Sequence, residues 1–315
     1  MGEPIVVADS GMGNFGVIIS ILLLAGGLIW LAWRSISGRE VDRRVIYLFV
    51  ALAVTAPILF PITFPEKTTQ VVQNLFDKIE TLPSGSFILL SFDFDPALAP
   101  EVQPMADAIT RHCLAKNHKI VFMSLWATGQ AQMNQTLRRV VNQEFPDKLE
   151  RIDYVNVGYK AGNEGVLRVI ATDFPKMFPS DVNNVPYPEI PMLGNIRSCS
   201  DFDLLVMFGG GKPGPMEWVL FVGDPTGVPL GACVAAVSAP QLYSYYPKQM
   251  IGILGGIKGA AEYESELARV HDRFKTTPAP GLKMMGPQTL VHVVIMAFIV
   301  LGNVVYFRGR RRSAA

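Results

Sequence analysis

The sequence predicts an α/β fold in which one doubly wound, mainly parallel-sheet soluble domain is held in a membrane by three transmembrane helices. Half of the 315 residues are apolar, only 17% are charged and the mean hydropathy is +0.28, unlike an ordinary water-soluble globule. Uncharged runs long enough to cross a hydrocarbon core lie towards both ends. Between them, short apolar runs alternate with longer amphipathic ones, as βαβ units around a buried parallel sheet require.

Residues 1–14 hold Glu3 and Asp9 but neither Lys nor Arg, the opposite of a signal peptide's basic region, so they read as an extracytoplasmic tail before a retained helix. Residues 15–33 carry no charge and, at about 1.5 Å per residue, span roughly 28 Å, which makes them transmembrane helix 1. Residues 34–44 form a loop containing Arg34, Arg39, Arg43 and Arg44. The uncharged stretch 45–64 is transmembrane helix 2, expected to kink or fray at Pro57 and Pro61. Transmembrane helix 3 covers residues 288–307, with His292 and Asn303 near its ends as interface residues, and leads into a basic tail, 308–315, with Arg308, Arg310, Arg311 and Arg312. Trp30, Trp33, Tyr47 and Tyr306 fit an aromatic belt. Short Arg-rich segments stay in the cytoplasm, so both clusters put the N-terminus outside and residues 65–287 on the extracytoplasmic side of the cytoplasmic membrane.

Within 65–287, helices are expected at 70–82, where Val71, Val72, Leu75, Phe76 and Ile79 share a face, and at 100–115, with Val102, Met105, Ala106, Ile109 and Cys113 on the buried side. Further helices follow at 130–145, 163–174 and 258–274, the last with Glu262, Glu264, Glu266, Arg269 and Arg273 on a solvated face. Strands are expected at 86–92, 119–125, 151–157, 203–208 and 229–237. Residues 241–257 fit either a sixth strand or a glycine-rich helix start. The proline-rich stretch 179–191 reads as an irregular excursion, and 276–287 as a Pro/Gly linker into the third span. Together these elements give a Rossmann- or flavodoxin-like domain.

Lys+Arg 28 against Asp+Glu 27 leaves a net charge of +1, and residues 65–287 alone hold 20 basic and 23 acidic residues, a net of −3. That balance removes the electrostatic case for a nucleic-acid partner. Cys113, Cys199 and Cys233 are too few and too scattered for a disulfide scaffold or a CxxC metal knuckle. His112, Cys113 and His118 look like a metal cluster, but six residues of helix set the two histidines roughly 120° apart, so they read as surface residues.

In open parallel sheets, ligands bind outside the carboxyl ends of strands, near a topological switch point. That rule selects four places. Asp93 and Asp95 follow the first strand and can share a divalent cation if the strand persists, or cap a turn before Pro96. Gly209, Gly210 and Gly211 follow the fourth strand, where a glycine turn with Lys212 beside it can hold an anion on backbone N–H groups. Ser124 and Ser238 follow the second and fifth strands as ligand contacts, nucleophiles or plain turn formers.

From residue 88 to 124, a hydrophobic strand, a DxD pair, a helix and a strand ending in Ser resemble the first half of the haloacid-dehalogenase phosphohydrolases. The resemblance implies Asp93 as nucleophile, Asp95 as general acid, Ser124 as phosphate ligand and Lys160 or Lys176 as the phosphate lysine. Ala97 stands where that family usually has Thr or Val. Residues 203–260 resemble the crotonase-like serine peptidases, which include membrane-anchored signal-peptide peptidases. That resemblance implies Ser238 as nucleophile and the Gly209–Gly211 backbone as oxyanion hole, with no partner base supplied.

The reading that follows is a membrane-anchored envelope protein whose α/β domain binds a ligand or assembles with other membrane or envelope proteins, or with itself, without catalysis. Its partners are then the lipid bilayer and those proteins, and its one candidate cofactor is a divalent cation at Asp93 and Asp95. The rival is a membrane-bound hydrolase acting through Asp93 and Asp95 or through Ser238.

Overall fold

The computed structural model describes residues 25–37, 42–59, 66–277 and 279–313, of which 309–313 are described by backbone alone. It divides into two compact units: residues 1–65 together with 275–315, and Glu66–Phe274.

The first unit contains helix α1 (25–36), α2 (Arg43–Leu59) and α12 (Pro280–Ser313). Ala53 of α2 and Val294 of α12 are buried together, with Leu28, Phe49, Val50, Leu290, Val291 and Phe298 against them. Most other large apolar side chains on these helices are exposed, among them Tyr47, Leu48, Ile58, Met296, Ile299 and Val300. Among the described residues one helix, Pro280–Arg308, is long and apolar enough to cross a membrane, not three. Residues 15–24 and 60–64 of the other two expected spans lie outside the described residues. The expected linker 276–287 is a correction: α12 begins at Pro280, where a missing N–H costs nothing, and runs through Pro287.

The second unit builds a six-stranded sheet from α3 (Gln70–Thr81), β1 (Phe87–Asp93), α4 (Ala99–Ala115), β2 (Lys119–Ser124), α5 (Gly129–Thr136), β3 (Tyr154–Tyr159), α6 (Glu164–Ile170), α7 (Phe174–Met177), β4 (Leu204–Gly209), α8 (Pro215–Trp218), α9 (Asp224–Thr226), β5 (Leu230–Val234), α10 (Ala239–Leu242), β6 (Gly252–Gly255) and α11 (Gly256–Val270). Every pairing is parallel and the order is β3-β2-β1-β4-β5-β6. This is the Rossmann order rather than the flavodoxin one, and the chain reverses direction across the sheet between β1 and β4.

Alternation along each strand feeds two cores. Ile88, Leu90, Phe92, Ile120, Phe122, Val206 and Phe208 pack under α3, α4 and α11, whereas Leu89, Val121, Met123, Val155, Leu205 and Met207 pack against α6, α7 and Trp218. Covered on both faces, the strands are apolar almost throughout, which is why their sequence shows runs rather than alternation.

Several boundaries differ from expectation for local reasons. β3 starts at Tyr154, not Arg151, because Arg151 takes φ +67° in a turn. β5 stops at Val234, leaving Val237 84% exposed. The helix expected at 130–145 is α5 continued by a π-helical stretch, Leu137–Asn142. The helix expected at 163–174 is cut in two, and Asp173 accepts a bond from Lys176 N–H at 3.0 Å to start α7. Residues 252–257 are both things the sequence allowed, a short strand running into α11.

The acidic face of α11 is a correction. Glu262, Glu264 and Glu266 are buried, because α11 lies against both α3 and α4. Glu262 Oε2 accepts from Thr69 N–H at 2.9 Å and from the Thr69 hydroxyl at 2.6 Å, at the residue preceding α3, while Lys258 pairs with its other oxygen. Glu266 accepts from Gln73 Nε2 at 3.1 Å and pairs with Arg269. Glu262 and Glu266 are thus both hydrogen-bonded and paired with a cation, as burial requires.

Candidate functional site at the carboxyl edge of the sheet

The four places chosen from sequence lie along one edge. Asp93 and Gly209 are register partners at the ends of β1 and β4, on either side of the switch point. Ser124 ends β2, and Ser238 follows β5 at the start of α10. A Cβ on Gly209 would overlap the Asp93 carbonyl oxygen, and one on Gly211 would overlap the ring of Trp126, so the turn after β4 is pressed against the exits of β1 and β2. A Cβ on Gly210 would stand 3.8 Å from Ser238 Oγ, which brings together two candidates far apart in sequence. Gly210 and Lys212 are exposed. Glu101, in the first turn of α4, accepts from Ala236 N–H at 2.8 Å and ties the exit of β5 to this edge.

Within this frame, the side chains of Asp93, Asp95 and Ser124 are hydrogen-bonded within the fold. Asp93 is fully buried on the face it shares with Ser91 and Leu89. It accepts from Leu125 N–H at 2.6 Å, Ser91 Oγ at 2.7 Å and Trp218 Nε1 at 3.1 Å, joining β1 to the exit of β2 and to α8. Burial pushes its carboxyl from the ordinary 3.8 up to about 6, against the lowering pull of those three donors. β1 ends at Asp93, so Asp95 does not share its strand face; Asp95 Oδ1 instead accepts from Ala97 and Leu98 N–H at 3.0 and 3.1 Å, the turn-forming role. Ser124 is buried with Oγ 2.7 Å from the carbonyl oxygens of both Phe92 and Trp126, and accepts from Trp126 N–H at 3.1 Å. Lys160 N–H donates to the Ser124 carbonyl at 2.9 Å while its Nζ lies 5.8 Å from the Phe178 ring; Lys176 is exposed on α7.

At the opposite, amino edge, the structure assembles residues the sequence did not connect. Cys113 is buried as expected, but His112 and His118 are buried too rather than on the surface, because the sheet and α11 enclose α4 from Val102 to Leu114. His112 Nε2 and His271 Nε2 both lie 2.8 Å from Glu80 Oε2, His112 Nδ1 lies 2.7 Å from Tyr263 OH, and Lys116 Nζ lies 2.9 Å from Glu80 Oε1. Although partial burial pushes Glu80 up, bonds from Lys116, His112 and His271 hold it at about 2; burial pushes His112 down to about 4. Glu80 ends α3, His112 ends α4 and His271 follows α11, separations of 32 and 159 residues that no local pattern announces. Cys113, Cys199 and Cys233 are free thiols, all buried. No family model and no curated protein sequence matches the chain.

Proposed function

We propose that this chain is a three-span membrane protein whose α/β domain faces away from the cytoplasm and serves as a non-catalytic binding or assembly module of the cell envelope. The orientation follows from the arginines at 34–44 and 308–312, which resist transfer across a bilayer. Anchoring is supported by the apolar α12 and by the exposed apolar side chains of α2 and α12, which water does not favour. The ligand or partner is proposed to meet the turn Gly209–Lys212 at the switch point, where Gly210 and Lys212 are exposed.

The observation that carries the non-catalytic reading is the engagement of Asp93. A nucleophilic carboxylate must present a free oxygen to substrate, but both of its oxygens accept bonds in a fully buried setting. For Ser238, the histidines described in the α/β unit stand by topology at the other edge: α4 leads from the end of β1 to the start of β2, and His112 lies in its last turn. The test is to assay the full-length protein in detergent with a generic phosphate ester and a peptide substrate, with and without Mg²⁺. No turnover is expected. Turnover abolished in Asp93→Asn overturns the reading in favour of a phosphohydrolase, and turnover abolished in Ser238→Ala overturns it in favour of a peptidase.

A further inference from the structure

We infer that Glu80, His112 and His271 form a binding site for one zinc ion that ties together the ends of α3, α4 and α11. Their ligand atoms, one carboxylate oxygen and two imidazole nitrogens, all lie within 4.8 Å of one another. In a tetrahedral zinc site with bonds near 2.0–2.1 Å, neighbouring ligand atoms stand roughly 3.3 Å apart. Each nitrogen, now 2.8 Å from Glu80 Oε2, then backs away from it by about half an ångström, while the two nitrogens, within 4.8 Å of one another, close to that spacing by up to about 1.5 Å as the partly exposed His271 ring turns. Two imidazoles and a carboxylate are a donor set that suits zinc far better than magnesium or calcium, which prefer oxygen alone.

The surroundings match what such a site needs beyond its ligands. Tyr263 OH engages His112 Nδ1, which turns Nε2 towards Glu80, and the His112 ring stacks on Phe76 with centroids 4.4 Å apart. Lys116 occupies Glu80 Oε1 and leaves Oε2 for the ion. The His271 ring is set edge-on between His112 and Phe274. The His112 side chain is fully buried, whereas those of Glu80 and His271 are 27% and 23% exposed, so one side of the ion faces water and its fourth position takes a water molecule. With zinc on both Nε2 atoms, each neutral imidazole carries its proton on Nδ1, and that of His112 is donated to the Tyr263 hydroxyl oxygen. None of this depends on the side of the membrane the domain faces.

The test uses the full chain in detergent, free of any polyhistidine tag, stripped with chelator and titrated with ZnCl₂ or with CoCl₂ as a coloured substitute. One equivalent of zinc is expected, a visible d–d absorption with cobalt, and a higher urea midpoint with zinc. His271→Ala and Glu80→Gln each lower zinc affinity by at least about 100-fold and abolish the shift in midpoint, and Tyr263→Phe lowers it by about 10- to 100-fold. His292→Ala, on the exposed surface of α12, leaves binding unchanged. Absence of stoichiometric binding to the native chain overturns the site, as does zinc binding that survives His271→Ala and Glu80→Gln. Both variants replace partly exposed side chains, and a single cooperative metal-free urea transition in each establishes that it folds, even where loss of the Glu80 contacts lowers the midpoint.

Discussion

The Asp93 carboxylate joins β1, the exit of β2 and α8, and its removal has a calculable signature. Asp93→Ala leaves Leu125 N–H and Trp218 Nε1–H buried without an acceptor, at about 1–3 kcal/mol each, so a loss of roughly 2–6 kcal/mol is expected. Asp93→Asn keeps an oxygen for one donor but turns an amide N–H₂ towards the other. The pH dependence is the sharper signal. Because burial raises the folded-state value from 3.8 to about 6, this carboxyl stabilises the native state below pH 3.8, and that contribution is lost as pH rises through about 6. The difference corresponds to about 3 kcal/mol. Asparagine has no such dependence. The unfolding free energy of wild type minus that of Asp93→Asn therefore falls by about 3 kcal/mol between about pH 3 and pH 7.5, and the subtraction cancels every other titrating group. Urea unfolding in detergent, followed by tryptophan fluorescence with buried Trp218 as a reporter, measures it. A difference that is flat or rises with pH refutes the argument, as does an alanine variant as stable as wild type.

Three further outcomes follow from the same geometry. Glu101→Ala removes the acceptor of Ala236 N–H, and hydrogen exchange at that amide should accelerate roughly tenfold while the strands of the sheet keep their protection. Gly129→Ala drives a Cβ into the Phe92 carbonyl and against Ser124 Oγ, and should lower stability by about 1–3 kcal/mol as read from the urea midpoint. Burial pushes all three thiols upward in pKa, so a maleimide should label no cysteine in the native protein and all three after unfolding.

What the sequence made legible was local. β1, β2 and β4 are found within a residue of expectation because a strand buried on both faces must be an unbroken apolar run, and such runs announce themselves. The carboxyl-edge positions of Asp93, Ser124, Gly209 and Ser238 follow from strand ends alone. What those groups do there was not legible, since the donors to Asp93 come from residues 125 and 218 as well as 91. The same holds for α11: its period identifies which residues share a face, but not that a second helix covers the acidic one, or that Glu262 bonds Thr69 193 residues away. His112 was misread because a helix wheel assigns one buried face, whereas α4 is enclosed almost entirely over its last three turns. Pro287 was taken for a break although a long helix absorbs it as one lost backbone bond.

The central claim is that the α/β unit lies outside the cytoplasm, and the three buried native thiols give a clean background for testing it. Lys248 is exposed in the loop between α10 and β6, so Lys248→Cys in the full chain supplies one accessible thiol. In right-side-out membrane vesicles, a membrane-impermeant maleimide should label it fully without any detergent; labelling that appears only after the vesicles are opened contradicts the account.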